Sequence, residues 1–288
     1  MYKLKYFLQF IGITILFFIY RLLGLRLSSI LSGYILLSLG PIFRSNKLTE
    51  KNLIKAKPNL EITERKKILN KMWFNYGRIL SEYIYIKDFR ESSNFSNKII
   101  IENQSVLEKI KSDKEPVIFI SGHFNNFELM AMHIEKTGID LAAVYRPLNN
   151  KFLNPLMEKI RRKYICKNQI KKGISGTKQL LKKFKQKTSI ALMIDQRVSE
   201  GIKSNFFNEK AFTTTIPAQF AKKFNSKIVP IYIERLKENN FKIKIYNPLT
   251  FGEKDSVEHI TLCLNQILEK MILKNPEQWI WTHNRWKI

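Results

Sequence analysis

Apolar residues recur in two different rhythms along this 288-residue chain. Between Thr63 and Ile86 they return at helical spacing, through Ile68, Leu69, Met72, Trp73, Tyr76, Ile79, Leu80 and Tyr83. That spacing predicts an amphipathic helix. Beyond it, short apolar runs alternate with helical patterns. The runs are 98–102, 116–121, 140–145, 189–194 and 227–234, with helices opening near Asn103, Asn125, Asn150, Ser175 and Thr215. Such alternation predicts βαβ units: an α/β fold with a mostly parallel central sheet flanked by helices. The run 241–247 reads as an added strand, and 256–274 as a closing helix stopped before Pro276.

The N-terminus follows neither rhythm. Tyr6 to Tyr20 carries no charge and sits between Lys3/Lys5 and Arg21; after Arg26 a second uncharged run extends from Leu27 to Phe43. The first run is short of the roughly 20 residues that span a bilayer. Because long basic side chains snorkel, it reads either as a tilted span or as a helix lying in the interface. A cleaved signal peptide is the rival, but no A-x-A site follows and the second apolar run favours retention. The chain therefore divides into a membrane-anchoring or interfacial segment, 1–44, and a folded domain, 45–288.

Composition sharpens this picture in one respect. Fifty Lys and Arg against 24 Asp and Glu give a formal charge of +26, which suits a polyanionic partner: nucleic acid, an anionic membrane or a phosphorylated substrate. Between Lys159 and Lys187 there are twelve basic residues and no acid. Such a run is either a docking rim or a solvated face inherited from a Lys-rich composition. Cys166 and Cys263 have no metal-ligand or redox spacing and read as reduced thiols.

The candidate chemistry lies in "SGHFNNFE". His123 follows the apolar run 116–121, at the strand end where open α/β sheets carry ligands. Glu128 falls in the first turn of the next helix. It reads equally as a partner of the histidine and as the N3 member of a capping box opened by Asn125. Zinc is a poor fit, since His123, Glu128 and His133 do not match H-E-x-x-H. No metal or other cofactor is called for.

Further stretches add weight to the first: "VYRPLNN" (144–150), "MIDQR" (193–197), "FFNEKAFTTTIPAQFA" (206–221) and "PEQWIWTHNRWK" (276–287). In this order they resemble the bacterial lipid A acyltransferase family, the lauroyl and myristoyl transferases, within the wider glycerolipid acyltransferase superfamily and its H-x4-D/E signature. The resemblance covers nearly the whole chain and implies a glycerolipid acyltransferase-like fold. It implies His123 as base with Glu128 as its acidic partner, and Arg146 near the reacting carbonyl. Arg161, or Arg162 beside it, matches a second arginine, and Asp195 with Gln196 matches a substrate-binding pair. Two positions depart from the pattern. Asn208 stands where a Gly is usual, which the left-handed tolerance of Asn accommodates, and Asn284 stands where an Arg is usual, which removes a charge.

The resemblance further implies acyl transfer from an acyl carrier protein thioester to a hydroxyl of a phosphorylated glycolipid in the inner membrane, with the domain facing the cytoplasm and membrane lipids as neighbours. Another glycolipid, phospholipid or aminolipid acceptor is the alternative. A histidine near neutral pKa suits proton removal from a hydroxyl, and Arg146 with backbone N–H groups at the helix start suits the oxyanion. A basic nucleic-acid-binding module shares the charge. It lacks here any RRM, KH, helix-turn-helix or zinc pattern, so no nucleic acid is expected as a partner.

Overall fold

Apolar runs without alternation need cover on both faces, and the chain supplies it by wrapping helices around a sheet. The computed structural model describes residues 2–287. Helices α1 (Tyr2–Phe43), α2 (Asn46–Ala56), α3 (Ile62–Glu82), α4 (Ile86–Glu91) and α5 (Ser93–Ser96) come first. The alternating region then runs β1 (Ile99–Glu102), α6 (Gln104–Asp113), β2 (Ile118–Ser121), α7 (Glu128–Lys136), β3 (Leu141–Tyr145) and α8 (Leu153–Ile160). It continues through β4 (Asn168–Lys171), α9 (Ile174–Lys185), β5 (Ser189–Met193), β6 (Ile202–Phe206), β7 (Glu209–Thr213) and α10 (Ile216–Phe224). Strands β8 (Ile228–Arg235) and β9 (Phe241–Ile245) and helix α11 (Val257–Lys274) complete the order.

The main sheet has seven strands in the order β1-β9-β8-β2-β5-β3-β4. Strands β8, β2, β5, β3 and β4 are mutually parallel, while β9 joins β8 antiparallel and carries β1 parallel to itself. From β2 the chain moves outward to β3 and β4, returns to β5, and then crosses to β8 on the other side of β2. The reversal puts the crevice at the C-terminal ends of β2 and β5. β8, buried at every position, is the continuous apolar run the sequence showed; β9 alternates buried and half-buried residues, as a strand nearer an edge does.

One strand and a hairpin escape the apolar pattern. β4, "NQIK", is short and polar. The hairpin β6–β7 inserts between β5 and α10, and its turn puts both Phe207 (φ 52) and Asn208 (φ 60) in the left-handed region. Asn208 is at home there. Phe207 is held by Glu269 Oε1, which accepts its N–H at 2.7 Å, and by packing on Trp286.

At the N-terminus the two apolar runs form one helix, broken at Gly24 (φ 74, ψ 167), a conformation open to glycine. Among the described residues it is long and apolar enough to cross a membrane. Its second arm crosses α3 closely: Ser32 Oγ donates to Gly77 O at 2.6 Å, and a Cβ at Gly77 would collide with the Ser32 backbone oxygen. Gly77→Ala should therefore lift α1 from α3 and cost about 1–3 kcal/mol, the usual range for overpacking. The check is the melting temperature of the detergent-solubilised chain, which should fall; an unchanged value would contradict this helix contact.

Candidate active site

Strands β2 and β5 are parallel neighbours with Ser121 opposite Met193, and Ile194 N–H still donates to Ser121 O at 2.9 Å. Two residues past that registered pair, His123 and Asp195 meet. Asp195 Oδ1 lies 2.7 Å from His123 Nδ1, and Oδ2 accepts the His123 backbone N–H at 2.8 Å. Trp279 Nε1–H donates to the same Oδ2 at 2.8 Å. The Asp195 side chain is 3% exposed and that of His123 22%.

The electrostatics follow from this pairing. For Asp195, burial favours the neutral acid, yet the His123 ring and the N–H donors around the carboxylate outweigh it and hold the carboxyl down at about 2. For His123, burial favours the neutral ring. The Asp195 charge and hydrogen bond, with the nearby Glu128 charge, outweigh this and raise its pKa above 6.5. His283 goes the other way: burial pushes it down to about 4, and its Nε2 accepts the Arg197 backbone N–H at 3.0 Å. Two histidines in one site thus have opposite proton affinities. A third, His133, faces away and meets Gln104 Oε1 at 2.9 Å.

The pairing of Glu128 with the His123 ring expected from the H-x4-E spacing is therefore corrected, because Asp195 holds Nδ1. Glu128, at the first residue of α7, instead accepts Arg161 Nε–H at 2.9 Å and lies 2.8 Å from Nη2. The helix dipole favours a carboxylate at that end. Arg161 belongs to a π-turn, Arg161–Ile165, closed by Cys166 N–H donating to Arg161 O at 2.9 Å. Of the two neighbouring arginines, Arg161 is the one that meets Glu128; Arg162 is exposed, with Nη2 3.4 Å from Gln169 O. Asp195, expected to bind substrate beside Gln196, is almost wholly enclosed, and its carboxylate meets the His123 ring. Gln196 is half-buried with Nε2 3.5 Å from His123 Nδ1. Arg146 is exposed, one residue past β3.

The expected capping box is absent for a reason that reaches beyond the loop. Asn125 sits at φ 42, and its side chain is already committed: Oδ1 accepts Asn75 Nδ2–H at 2.7 Å and Nδ2 donates to Gln278 Oε1 at 2.6 Å. Behind it, Arg235 donates from Nε to Asn75 Oδ1 at 2.7 Å and makes a two-pronged ion pair with Glu82, the second prong at 2.9 Å. Asn239 Nδ2 donates to the same carboxylate at 3.1 Å, and Asn126 Nδ2 approaches it at 3.5 Å. Both asparagines of "HFNNFE" are therefore pinned by buried groups from α3, β8 and the C-terminal segment.

That C-terminal segment closes the site. Phe124 bridges Trp279, and Asn125 N–H donates to Gln278 O at 3.2 Å, while Trp279 reaches Asp195. Arg285 is buried over the Phe206 ring, with Nη2 donating to Thr213 Oγ1 at 2.7 Å. Asn284, the position where an arginine was usual, is exposed, so the missing charge falls in solvent and the neighbouring Arg285 makes the buried contacts. Reading the sequence missed Glu82, Arg235 and Trp279. Glu82 lies within the stretch that reads as helix and Arg235 one residue past the run that reads as strand, and only their burial sets them apart.

Comparison with known proteins identifies the family. The family model for bacterial lipid A biosynthesis acyltransferases matches residues 1–288. The chain is 24% identical to a lipid A biosynthesis lauroyltransferase of Escherichia coli (strain K12) over 98% of its own length and 92% of that protein's. A lipid A biosynthesis acyltransferase of Haemophilus influenzae is 25% identical over 86% of this chain and 81% of its own. A lipid A biosynthesis palmitoleoyltransferase of Escherichia coli (strain K12) is 21% identical over 85% and 79%. With all five sequence motifs in place and the whole length matched, the chain belongs to the bacterial lipid A biosynthesis acyltransferase family.

Proposed function

We propose that this protein transfers a fatty acyl group from an acyl carrier protein thioester to a hydroxyl of a phosphorylated lipid A precursor, at the cytoplasmic face of the inner membrane. The observation that carries the mechanism is the His123–Asp195 pair at the ends of adjacent parallel strands. With Nδ1 committed to Asp195, Nε2 is the nitrogen that takes a proton. It removes the hydroxyl proton as the oxygen attacks the thioester carbonyl. The tetrahedral intermediate then collapses, the C–S bond breaks, and the imidazolium returns its proton to the leaving sulfur. Ester and carrier thiol are the products, and no acyl-enzyme is required. Asp195 fixes the tautomer and stabilises the imidazolium. Arg146 and N–H groups at the start of α7 serve the developing oxyanion. Glu128 holds Arg161 against the mouth of the site, where a cation suits a phosphorylated acceptor.

Turnover with acyl carrier protein thioesters and lipid A precursors, read by mass spectrometry, tests the reaction. His123→Ala should lower kcat by about 10²–10⁴, the range for general acid–base catalysis. Asp195→Asn should cost a comparable factor through loss of the correct tautomer, of order 10⁴ where a triad carboxylate is neutralised. Glu128→Gln should cost less, about tenfold, since one charge-assisted hydrogen bond is weakened rather than lost. Full activity in His123→Ala would refute the mechanism.

The pH profile gives an independent check. The base works deprotonated, so activity rises as pH climbs through the His123 pKa, which Asp195 holds above 6.5. Removing that carboxylate's charge in Asp195→Asn leaves burial to dominate, and the rising limb should move to lower pH while its plateau falls. A limb unmoved by Asp195→Asn would assign it to another group.

Charge reversal tests the basic run. The fold disperses it: Arg161 goes to Glu128 and Lys187 to Glu115. Lys178, Lys182 and Lys185 remain along one exposed face of α9. If that face receives an acidic carrier protein, Lys182→Glu with Lys185→Glu should raise KM for the thioester and flatten its salt dependence, with kcat little changed. The screening length falls from about 10 Å at 0.1 M salt to 3 Å at 1 M. An unaltered salt slope would make the face merely solvated.

A further inference from the structure

We infer that α1 lies in the plane of the membrane surface as an interfacial helix and does not cross the bilayer, and that α8 extends the same lipid-facing surface to the mouth of the site. This orientation rests on the membrane attachment proposed above. The arm of α1 that ends at Leu23 is about 33 Å long at 1.5 Å per residue, enough to span about 30 Å of hydrocarbon. Length alone therefore permits a crossing. Burial does not.

Along this arm Tyr6, Phe10, Ile13, Phe17 and Tyr20 are buried or half-buried, at spacings of three and four residues that trace a single helix face. The opposite face, Leu4, Leu8, Ile11, Ile15, Phe18 and Leu22, is exposed throughout. The contacts begin at one end, where Asn150 Nδ2 donates to Tyr6 O at 2.8 Å and Phe7 and Phe10 pack on the Phe152 ring. They close at the other, where Tyr85 OH donates to Tyr20 O at 2.6 Å and Arg21 pairs with Asp88. A helix docked to the folded body from Tyr6 to Arg21 cannot traverse the hydrocarbon without taking Asp88, Asn150 and their polar surroundings along. Burying such groups costs several kcal/mol each. Lying in the interface, the same helix puts only its exposed apolar stripe among the acyl chains.

The loop before α8 and α8 itself continue that stripe. Leu148, Phe152 and Leu156 are 36%, 42% and 38% exposed, and Phe152 packs on Phe7 and Phe10 of α1. Lys151, Lys159 and Lys163 are exposed around them, where they meet anionic lipid headgroups. Lys3 and Lys5 do the same at the start of α1. On its inner side the same segment runs into Arg161, which holds Glu128 near His123. A lipid acceptor in that leaflet reaches the site without leaving the surface on which the protein sits.

The test uses the full chain with Cys263→Ser, in sealed inner-membrane vesicles and in reconstituted vesicles containing anionic phospholipid. Lys3→Cys and Lys109→Cys, the latter on α6, are probed with a membrane-impermeant maleimide. The in-plane helix predicts that both react from the same side. Environment-sensitive labels at Leu8→Cys, Ile15→Cys, Leu22→Cys and Leu156→Cys should be quenched by lipid-borne quenchers at one common shallow depth, about 5–10 Å below the headgroups. Lys3 and Lys109 positions reacting from opposite sides, with Ile15 deepest, would overturn the inference while leaving membrane attachment intact. An aqueous Leu156 label beside an embedded α1 would remove α8 from the surface. Aqueous signals at every label would refute attachment itself.

Discussion

A buried carboxylate with nowhere to go but its partners organises this site. Asp195 is taken out of water by the sheet and the C-terminal segment, and an unpaired charge there would be intolerable. The fold answers with N–H donors from the His123 backbone, the Trp279 indole and the His123 ring. The donors arrive from two distant stretches of chain, the end of β2 and the segment after α11, so satisfying one group fixes both of these together with the end of β5. The same charge that must be satisfied is the one that raises the proton affinity of His123. Structural necessity and catalytic tuning are one interaction.

A second buried charge pair supports the loop from behind. Glu82 and Arg235 are both almost wholly enclosed, and such pairs rarely add net stability over apolar packing, although breaking one is costly. Their value here is directional. Arg235 passes its hydrogen bonding through Asn75 to Asn125, and Glu82 receives Asn126, so α3 and β8 set the path of the chain between His123 and Glu128. Ser29 of α1 also approaches Glu82, at 3.4 Å, which joins the long apolar helix to the same network. The position of the loop thus depends on the packing of α1 against α3.

Much of the fold was legible because apolar runs and helix starts are local signals. Apart from β4 and the hairpin β6–β7, the strands and helices from β1 to α11 stand where periodicity placed them, and His123 stands at a strand end as expected. The site was legible only in part. His123 and Glu128 are neighbours in sequence, but the carboxylate that meets the ring comes from across a strand pair, through a register no local pattern encodes. The capping box failed because Asn125 was engaged by Asn75 and Gln278, groups distant along the chain. The hairpin lacked an Asn-Gly or Asp-Gly turn, and β4 was too polar to show. In α1 the exposed and protein-facing sides are both apolar, so sequence could not separate them; burial did.

The central claim is that Asp195, rather than Glu128, acts through His123. A double-mutant cycle on kcat tests it most directly, because two residues that work as one unit are grossly non-additive. In a His123→Ala background, adding Asp195→Asn should cost almost nothing further, whereas adding Glu128→Gln should still cost its full separate factor. If instead Glu128→Gln is silent in that background and Asp195→Asn is not, Glu128 is the partner of the base and this account is wrong.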